Sequence, residues 1–365
     1  MSIEGSLKRT PLFESHLDSG GRLIDFAGWE MPVQYSGILS EVRKVRERSG
    51  MFDVSHMGRL ELSGEGAELL LNRVLSVDVS SIKVGRAKYN LICDDQGGII
   101  DDCIVYRQVD QYLLIPNASN REAVIDWLTA NIPDDIEVKI NDVSSNTVMV
   151  AVQGPLSAGI LSKHTTTDLT KLRLFSAVDA ELFGVEVFIA RTGYTGEDGF
   201  EIIACSDYGS LIWKTLEDSG VTPCGLGARD VLRLEAGLLL HGNDMDRSIN
   251  PYEAGLDYFV NNNRPEYVSR DSLASIREKG IVRKIVGLVI DGRSVARHGC
   301  FIFHEGEKIG EISSGSPSPT LNQNICMGYI PVDLSKPDTK LGVDIRGKMT
   351  QATVVELPFY KRVRS

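Results

Sequence analysis

Two adjacent carboxylates, Asp101 and Asp102, interrupt the apolar run "GGIIDDCIVY", residues 97–106. The run reads as a buried strand led in by two glycines. A carboxylate in apolar surroundings is costly unless a partner or a reaction uses its charge. Strict alternation puts Ile100, Asp102, Ile104 and Tyr106 on one face, and Ile99, Asp101, Cys103 and Val105 on the other. Whichever face is buried, one Asp looks into it. Two readings stand open at this level. A bulge or strand end would let both carboxylates reach water or a backbone N–H. Alternatively, one carboxylate lines an internal cavity, where it steadies a developing positive charge or accepts a proton.

Three further stretches hold residue types that could bind or react. "RTGYTGEDGFEI", residues 191–202, packs turn residues between two strand-like runs, with Tyr194 and Glu201 flanking the turn. It reads either as a plain hairpin loop or as a binding loop between rigid strands. "CGLGARD", residues 224–230, begins like a dinucleotide fingerprint at Gly225 and Gly227. Asp230 then stands where the third glycine belongs, and no clear strand precedes the helix expected from residue 228. There is no P-loop lysine pattern either, so no nucleotide cofactor is expected. Arg229 is a surface helix residue or an anion-binding cation near a helix start. "FDVSHMG", residues 52–58, sets a His beside Met57 and by itself specifies no chemistry. The six histidines form no metal-ligand cluster, and the six cysteines no CxxC pair. Metal is therefore not expected, and the thiols read as free and mostly buried, as in a reducing compartment.

The elements that must position these residues follow from periodicity. Helical patterns lie in "LSEVRKVRERSG" (Leu39, Val42 and Val45 on one face), "SNREAVIDWLTANI" (N-cap at Ser119 or Asn120), "DYGSLIWKTLEDSG" and "ARDVLRLEAGLLLHG". Strand patterns lie between them, which points to α+β layers over the first 250 or so residues rather than a regular doubly wound sheet. After "SLASIREKG", residues 272–280, only short strands recur, the pattern of a small barrel or sandwich. A boundary is expected near residue 280, dividing 1–280 from 281–365.

Composition narrows the partners. The chain has 365 residues and a net charge of −11, which argues against nucleic acid as the main partner and leaves room for a local basic pocket. No apolar run is long enough to span a membrane. The first residues resemble neither a signal nor a transit peptide, so a bacterial cytoplasm is expected, or a mitochondrial matrix after processing.

Taken together, "RTPLFESHLDSGGRLIDFAGWEMPVQY", "GMFDVSHMG", "GGIIDDCIVY", "RTGYTGEDGFEI", "GLGARDVLRLEAGLLLHGNDMD", "NPYEAGL" and "SPTLNQNICMGYI" resemble the glycine cleavage system T-protein family, in order, from about residue 9 to about 360. The resemblance implies a three-domain cloverleaf around a central folate channel, with two interleaved α+β domains and a C-terminal β-barrel. It implies an aminomethyltransferase that takes the one-carbon unit from the lipoyl arm of H-protein and passes it to tetrahydrofolate, releasing ammonia. By resemblance, Asp102 is the key carboxylate and Asp101 is structural. Glu201 and Asn117 match pterin-holding residues, Tyr89 and Tyr194 match contacts along the folate, and Met57 matches an apolar wall. Arg229 matches a cation at the anionic end of the cosubstrate, and Tyr360 sits where the C-terminal segment approaches. The chain departs from the family pattern at Tyr258, where a Trp is usual, and at Asn261 or a neighbour, where a Lys is usual. Competing expectations are a non-catalytic folate-binding assembly or repair factor, and the folate-binding tail of a flavin-dependent demethylase. The full "RTGYTGEDGFE" with Asp102 speaks against the first. The missing dinucleotide fingerprint speaks against the second.

Overall fold

The computed structural model describes residues 7–134, 136–261, 263–264 and 266–362. Three bodies of sheet organise it. A six-stranded sheet runs in the order Ala177–Leu182, Val185–Ala190, Gly199–Cys205, Thr147–Gln153, Gly50–Asp53, Thr222–Pro223. A five-stranded antiparallel sheet runs in the order Arg86–Cys93, Ile99–Arg107, Gln111–Pro116, Leu60–Ser63, Lys139–Asp142. Its strands all fall between Asp53 and Thr147, so it is inserted within the six-stranded sheet, which is the interleaving expected. The six strands from Arg283–Ile290 to Lys348–Val355 close into a barrel. The fold is mixed α+β with a C-terminal barrel, and among the described residues no helix is long and apolar enough to cross a membrane.

The two open sheets share a core. Phe52, Met149 and Ala151 of the larger sheet meet Tyr106, Leu113 and Ile115 of the smaller one. The far face of the smaller sheet is covered by helices Ala67–Val74 and Arg121–Ala130 through Leu70, Leu71, Val124 and Leu128. A further cluster joins Leu91 and Ile99 to Leu234, Leu239 and the barrel residues Ile285, Ile325 and Met327. These cores converge around the strand that carries the two aspartates.

That strand departs from strict alternation. Cys93 pairs with Ile99, but Ile92 pairs with Asp101, leaving Ile100 as an extra residue. The bulge turns Ile100 into the same cluster as Cys103 and Val105, not the face of Asp102 and Tyr106 as alternation required. Gly98 makes the approach possible, since a Cβ there would lie 2.1 Å from the Arg247 carbonyl oxygen.

Other expectations resolve in the same way. The helix Ile38–Glu47 buries Val42 and Val45 but exposes Leu39. "ARDVLRLEAGLLLHG" is helical only over Leu226–Glu235, ending at Gly237, whose φ is 65°. A two-residue strand, Thr222–Pro223, does precede that helix. A Cβ on Gly225 would lie 2.3 Å from the Val33 carbonyl carbon, so this glycine serves close packing of two chain segments rather than a pyrophosphate. All six cysteines are free.

Candidate active site

The bulged strand leaves Asp101 wholly buried and Asp102 half-buried. The next strand, Gln111–Pro116, ends opposite Cys103, so the chain after it turns across the two carboxylates. Asn117 begins that turn. Its backbone N–H donates to Asp101 Oδ2 at 2.9 Å. Its side-chain nitrogen lies 2.8 Å from Asp101 Oδ1 and 2.7 Å from Asp102 Oδ1. Asn120 Nδ2 donates a third bond to Asp101, at 2.8 Å. Tyr89, two register positions along the neighbouring strand from Leu91, the residue opposite Asp102, hydrogen-bonds Asp102 through its hydroxyl. Among the described residues neither aspartate has an ion-pair partner. Burial pushes the Asp102 carboxyl up from the usual carboxylate value to about 7, and the Asp101 charge adds to that, while Tyr89 and Asn117 oppose it. Burial also raises Asp101, against its amide donors and His241. Asp101 is thus held by three donors, and Asp102 is poised to gain or lose a proton near neutrality.

The hairpin Val185–Ala190 to Gly199–Cys205 delivers a second set of groups through its 191–198 loop. Tyr106 donates to Thr192 at 3.0 Å, and Thr192 donates to Glu201 Oε2 at 2.5 Å. Burial raises Glu201, while Arg229 and Thr192 lower it. Tyr194 packs under the Arg229 guanidinium, 4.8 Å from its ring centre, and donates its hydroxyl to the Leu239 carbonyl. Two arginines one helical turn apart contrast here. Arg233 is fully paired, with Asp244 at 2.6 Å and Asp230 at 2.7 Å. Arg229 has no ion pair among the described residues, and its buried Nη1 lacks a hydrogen-bond partner. A buried donor without a partner costs stability that a ligand can return. His56 Nδ1 is similarly unpartnered. Burial pushes that imidazole down to about 4, with the Arg229 and Arg59 charges adding to the effect against Asp53. Arg59, wholly buried, pins the same segment by donating to the Ser55, Met57 and Ser144 carbonyls, which holds Met57 against the shared core of the two sheets.

A cavity of about 1330 Å³ opens at Tyr89. Lys83, Arg86, Lys88, Lys171 and Arg173 line it, and among the described residues no carboxylate does. In a chain of net charge −11 this is a sharply local basic surface. Tyr258 stands at its rim, 88% exposed, edge-on to Phe259, which in turn packs on Tyr89 at 4.7 Å. The position expected to carry Trp is therefore a surface aromatic in contact with the site through one intermediary.

The structure brings Asp102, Tyr89 and Asn117 into direct contact, and Tyr194, Glu201 and Arg229 into a second group beside them. The Tyr194 hydroxyl also feels the Asp102 charge. Tyr360 meets the second group through its loop. Its ring covers Arg46 at 4.0 Å, its hydroxyl bonds Glu197, and its N–H donates to the Glu235 carbonyl. It braces the loop that carries Tyr194. Asn120, Thr192, Tyr106 and His241 escaped the sequence reading because their roles rest on contacts up to 142 positions distant in the chain.

Comparison with known proteins agrees with this architecture. Residues 12–264 match the GCVT N-terminal domain, and residues 283–361 match the glycine cleavage T-protein C-terminal barrel domain. The aminomethyltransferase of Bacillus licheniformis is 42% identical over 98% of this chain and 99% of its own length. That of Geobacillus sp. (strain WCH70) is 41% identical over 98% of this chain and all of its own. The crystal structure of glycine cleavage system aminomethyltransferase T from Bartonella henselae superposes with a TM-score of 0.92 at 34% identity, covering 98% of this chain and 99% of that one. The chain belongs to the glycine cleavage T-protein family of aminomethyltransferases.

Proposed function

We propose that the chain moves the one-carbon unit of an aminomethyl group from the lipoyl sulfur of an H-protein to tetrahydrofolate. The carbon's bonds to sulfur and to the amine nitrogen break, and bonds to folate N5 and N10 form. The two protons leaving those nitrogens end on the sulfur and on ammonia, giving 5,10-methylenetetrahydrofolate, the dihydrolipoyl arm and ammonia. The observation that carries this reading is Asp102: a half-buried carboxyl without a cation partner, held by Tyr89 and Asn117 and titrating near neutrality. As the amine departs, the carbon becomes cationic, and an adjacent carboxyl then ionises and stabilises it. A group titrating near 7 also exchanges protons with the folate nitrogens at low cost.

The residues fit a reduced folate. A pterin edge presents donors and an acceptor side by side. Glu201 supplies an acceptor, and the orphaned Arg229 Nη1 supplies a donor beside it. This assigns Arg229 to the pterin rather than to the anionic tail that the resemblance suggested. Asn117 spends its amide nitrogen on the aspartates, so its contribution to the pterin is limited to its carbonyl oxygen. The tail carboxylates fall to the basic cavity at Tyr89, where Lys83, Arg86 and Lys88 lie. Met57 and Tyr194 contribute apolar and aromatic walls.

The test is ammonia release from aminomethyl-loaded H-protein, with and without tetrahydrofolate. The reading expects release that depends on the folate and is matched by methylenetetrahydrofolate formation. Folate binding without any turnover would favour a binding module instead.

A further inference from the structure

Two opposite charges in the second group of the site lie beside each other and do not pair. Glu201 is buried, and Arg229 is half-buried with its Nη1 enclosed. Each feels the other's charge. Yet among the described residues no ion pair joins them, and Nη1 is left without a hydrogen-bond partner. Opposite charges in a low-dielectric setting close on each other unless something holds them. Three other arginines of this region do close: Arg46 meets Glu235 at 2.7 Å, Arg191 meets Asp198 at 2.6 Å and Arg233 meets Asp244 at 2.6 Å. At Arg229 both sides are restrained. The guanidinium lies on the Tyr194 ring, 4.8 Å from its centre. The carboxylate is tied by Thr192, whose hydroxyl donates to Oε2 at 2.5 Å.

Thr192 is itself fixed. Its single proton goes to Glu201, so the Tyr106 hydroxyl, 3.0 Å away, is the donor of that contact. The Thr192 carbonyl accepts from Gln153 Nε2 at 3.1 Å, and the Thr195 hydroxyl donates to Gln153 Oε1 at 2.8 Å. A Cβ on Gly193 would lie 2.0 Å from that same oxygen, so the loop rests directly on Gln153. Arg191 and Asp198 close the loop at its base. A wholly buried glutamine thus sets the backbone on which Thr192 stands, and Thr192 sets Glu201.

We propose that Thr192 is a positioning residue that holds the Glu201 carboxylate back from Arg229, so that the two charges stay open to a ligand instead of pairing with each other. A ligand edge with a donor beside an acceptor then enters between them, its N–H meeting Glu201 and its acceptor meeting Arg229. Charge-assisted bonds to both groups form without an ion pair having to break first. Without the Thr192 hydroxyl, Glu201 is free to turn towards the unpartnered Nη1, and the closed pair competes with the ligand. Thr192 acts through Glu201 and touches no ligand itself. Resting on the assignment of Glu201 and Arg229 to the pterin, this role adds the group that keeps both available.

Calorimetric titration of tetrahydrofolate into the full chain, with each variant checked for native thermal unfolding, tests this role. Thr192→Val keeps the shape of the side chain and removes the hydroxyl; Thr192→Ala is the second variant should the first not fold. Either should weaken tetrahydrofolate binding by about tenfold or more, and Thr192→Ser, which keeps the hydroxyl, should restore it. In an Arg229→Ala background Glu201 has no cation to close on, so Thr192→Val should weaken binding by less than about twofold there. A threonine that only supports the loop would give the same loss in both backgrounds. That additivity overturns the proposal, as does an unchanged affinity in Thr192→Val. Glu201→Gln separates the two levels. If it leaves binding unchanged, the pterin assignment fails and the role of Thr192 with it. If it weakens binding while Thr192→Val does not, the assignment stands and only the role of Thr192 falls.

Discussion

Asn117 joins the two aspartates through one nitrogen, 2.8 Å from Asp101 Oδ1 and 2.7 Å from Asp102 Oδ1. Two like charges that share one donor in a buried site cannot both ionise freely. The inequality of their surroundings decides which keeps its charge. Asp101 receives the Asn117 backbone N–H and the Asn120 amide as well, whereas Asp102 adds the Tyr89 hydroxyl and its own backbone N–H. The Asp101 charge, after burial, is what raises Asp102, so Asp102 is the group that exchanges a proton.

Asp101→Asn is consequently not a silent change. It removes the like charge that, after burial, raises Asp102. The Asp102 carboxyl should then ionise at lower pH, and the limb of the kcat profile that Asp102 sets should move to lower pH with it. One amide group of the new Asn also faces the Asn117 N–H, a donor–donor clash worth about 1–3 kcal/mol of stability. Steady-state rates across pH 5–9, with thermal unfolding of each protein, check both effects. A kcat profile that does not move would show that Asp101 does not tune Asp102.

Arg229→Ala should weaken folate binding more than it slows turnover. Its buried Nη1 has no hydrogen-bond partner among the described residues, and on the proposed reading the folate supplies one. A contact of this kind to the pterin persists in ground and transition states, and its loss raises KM by the equivalent of about 1.5–3 kcal/mol. Arg233→Ala should behave differently, because that side chain bridges Asp244 and Asp230. It should lower the melting temperature first, since the buried Asp244 carboxylate loses its cation. Tetrahydrofolate titrations and unfolding curves of the two variants separate the roles.

Much of this site was legible in the sequence, and the illegible part has a physical pattern. The aspartate pair, the hairpin with Tyr194 and Glu201, and the six barrel strands all follow from local periodicity and turn residues. The facing of Ile100 did not, because a bulge adds one residue that alternation cannot anticipate. Nor did Asn120, whose type and place suggest a cap while its side chain serves Asp101 and His241. The environment of Arg229 was also beyond reach: its helix shows a cation near a start, but only the fold separates it from the paired Arg233. Tyr360 was placed near the site by resemblance, and the structure gives its contact as Arg46 and the Glu197 loop.

Asp102→Asn joins activity to stability in one measurement. The new amide can turn its oxygen to Asn117 and its nitrogen to the Tyr89 oxygen, so the fold and the channel should survive. The charge needed as the one-carbon unit becomes cationic is gone, and kcat should fall roughly 10²- to 10⁴-fold with folate affinity little changed. Stability should change the other way. The folded protein holds the Asp102 proton up to about pH 7, whereas an unfolded carboxyl loses it near its usual value of 3.8. Between those values the folded state binds more protons than the unfolded one, so unfolding becomes easier as pH rises, and the loss is complete above about pH 7. The neutral variant escapes that loss. It should match the unaltered protein near pH 4 and exceed it at pH 8 by on the order of 4 kcal/mol in denaturant unfolding. A slow variant that is stabilised at pH 8 is the signature of a carboxyl held in an unfavourable place for chemistry. A variant that turns over normally and gains no stability would show that Asp102 neither reacts nor resists ionisation.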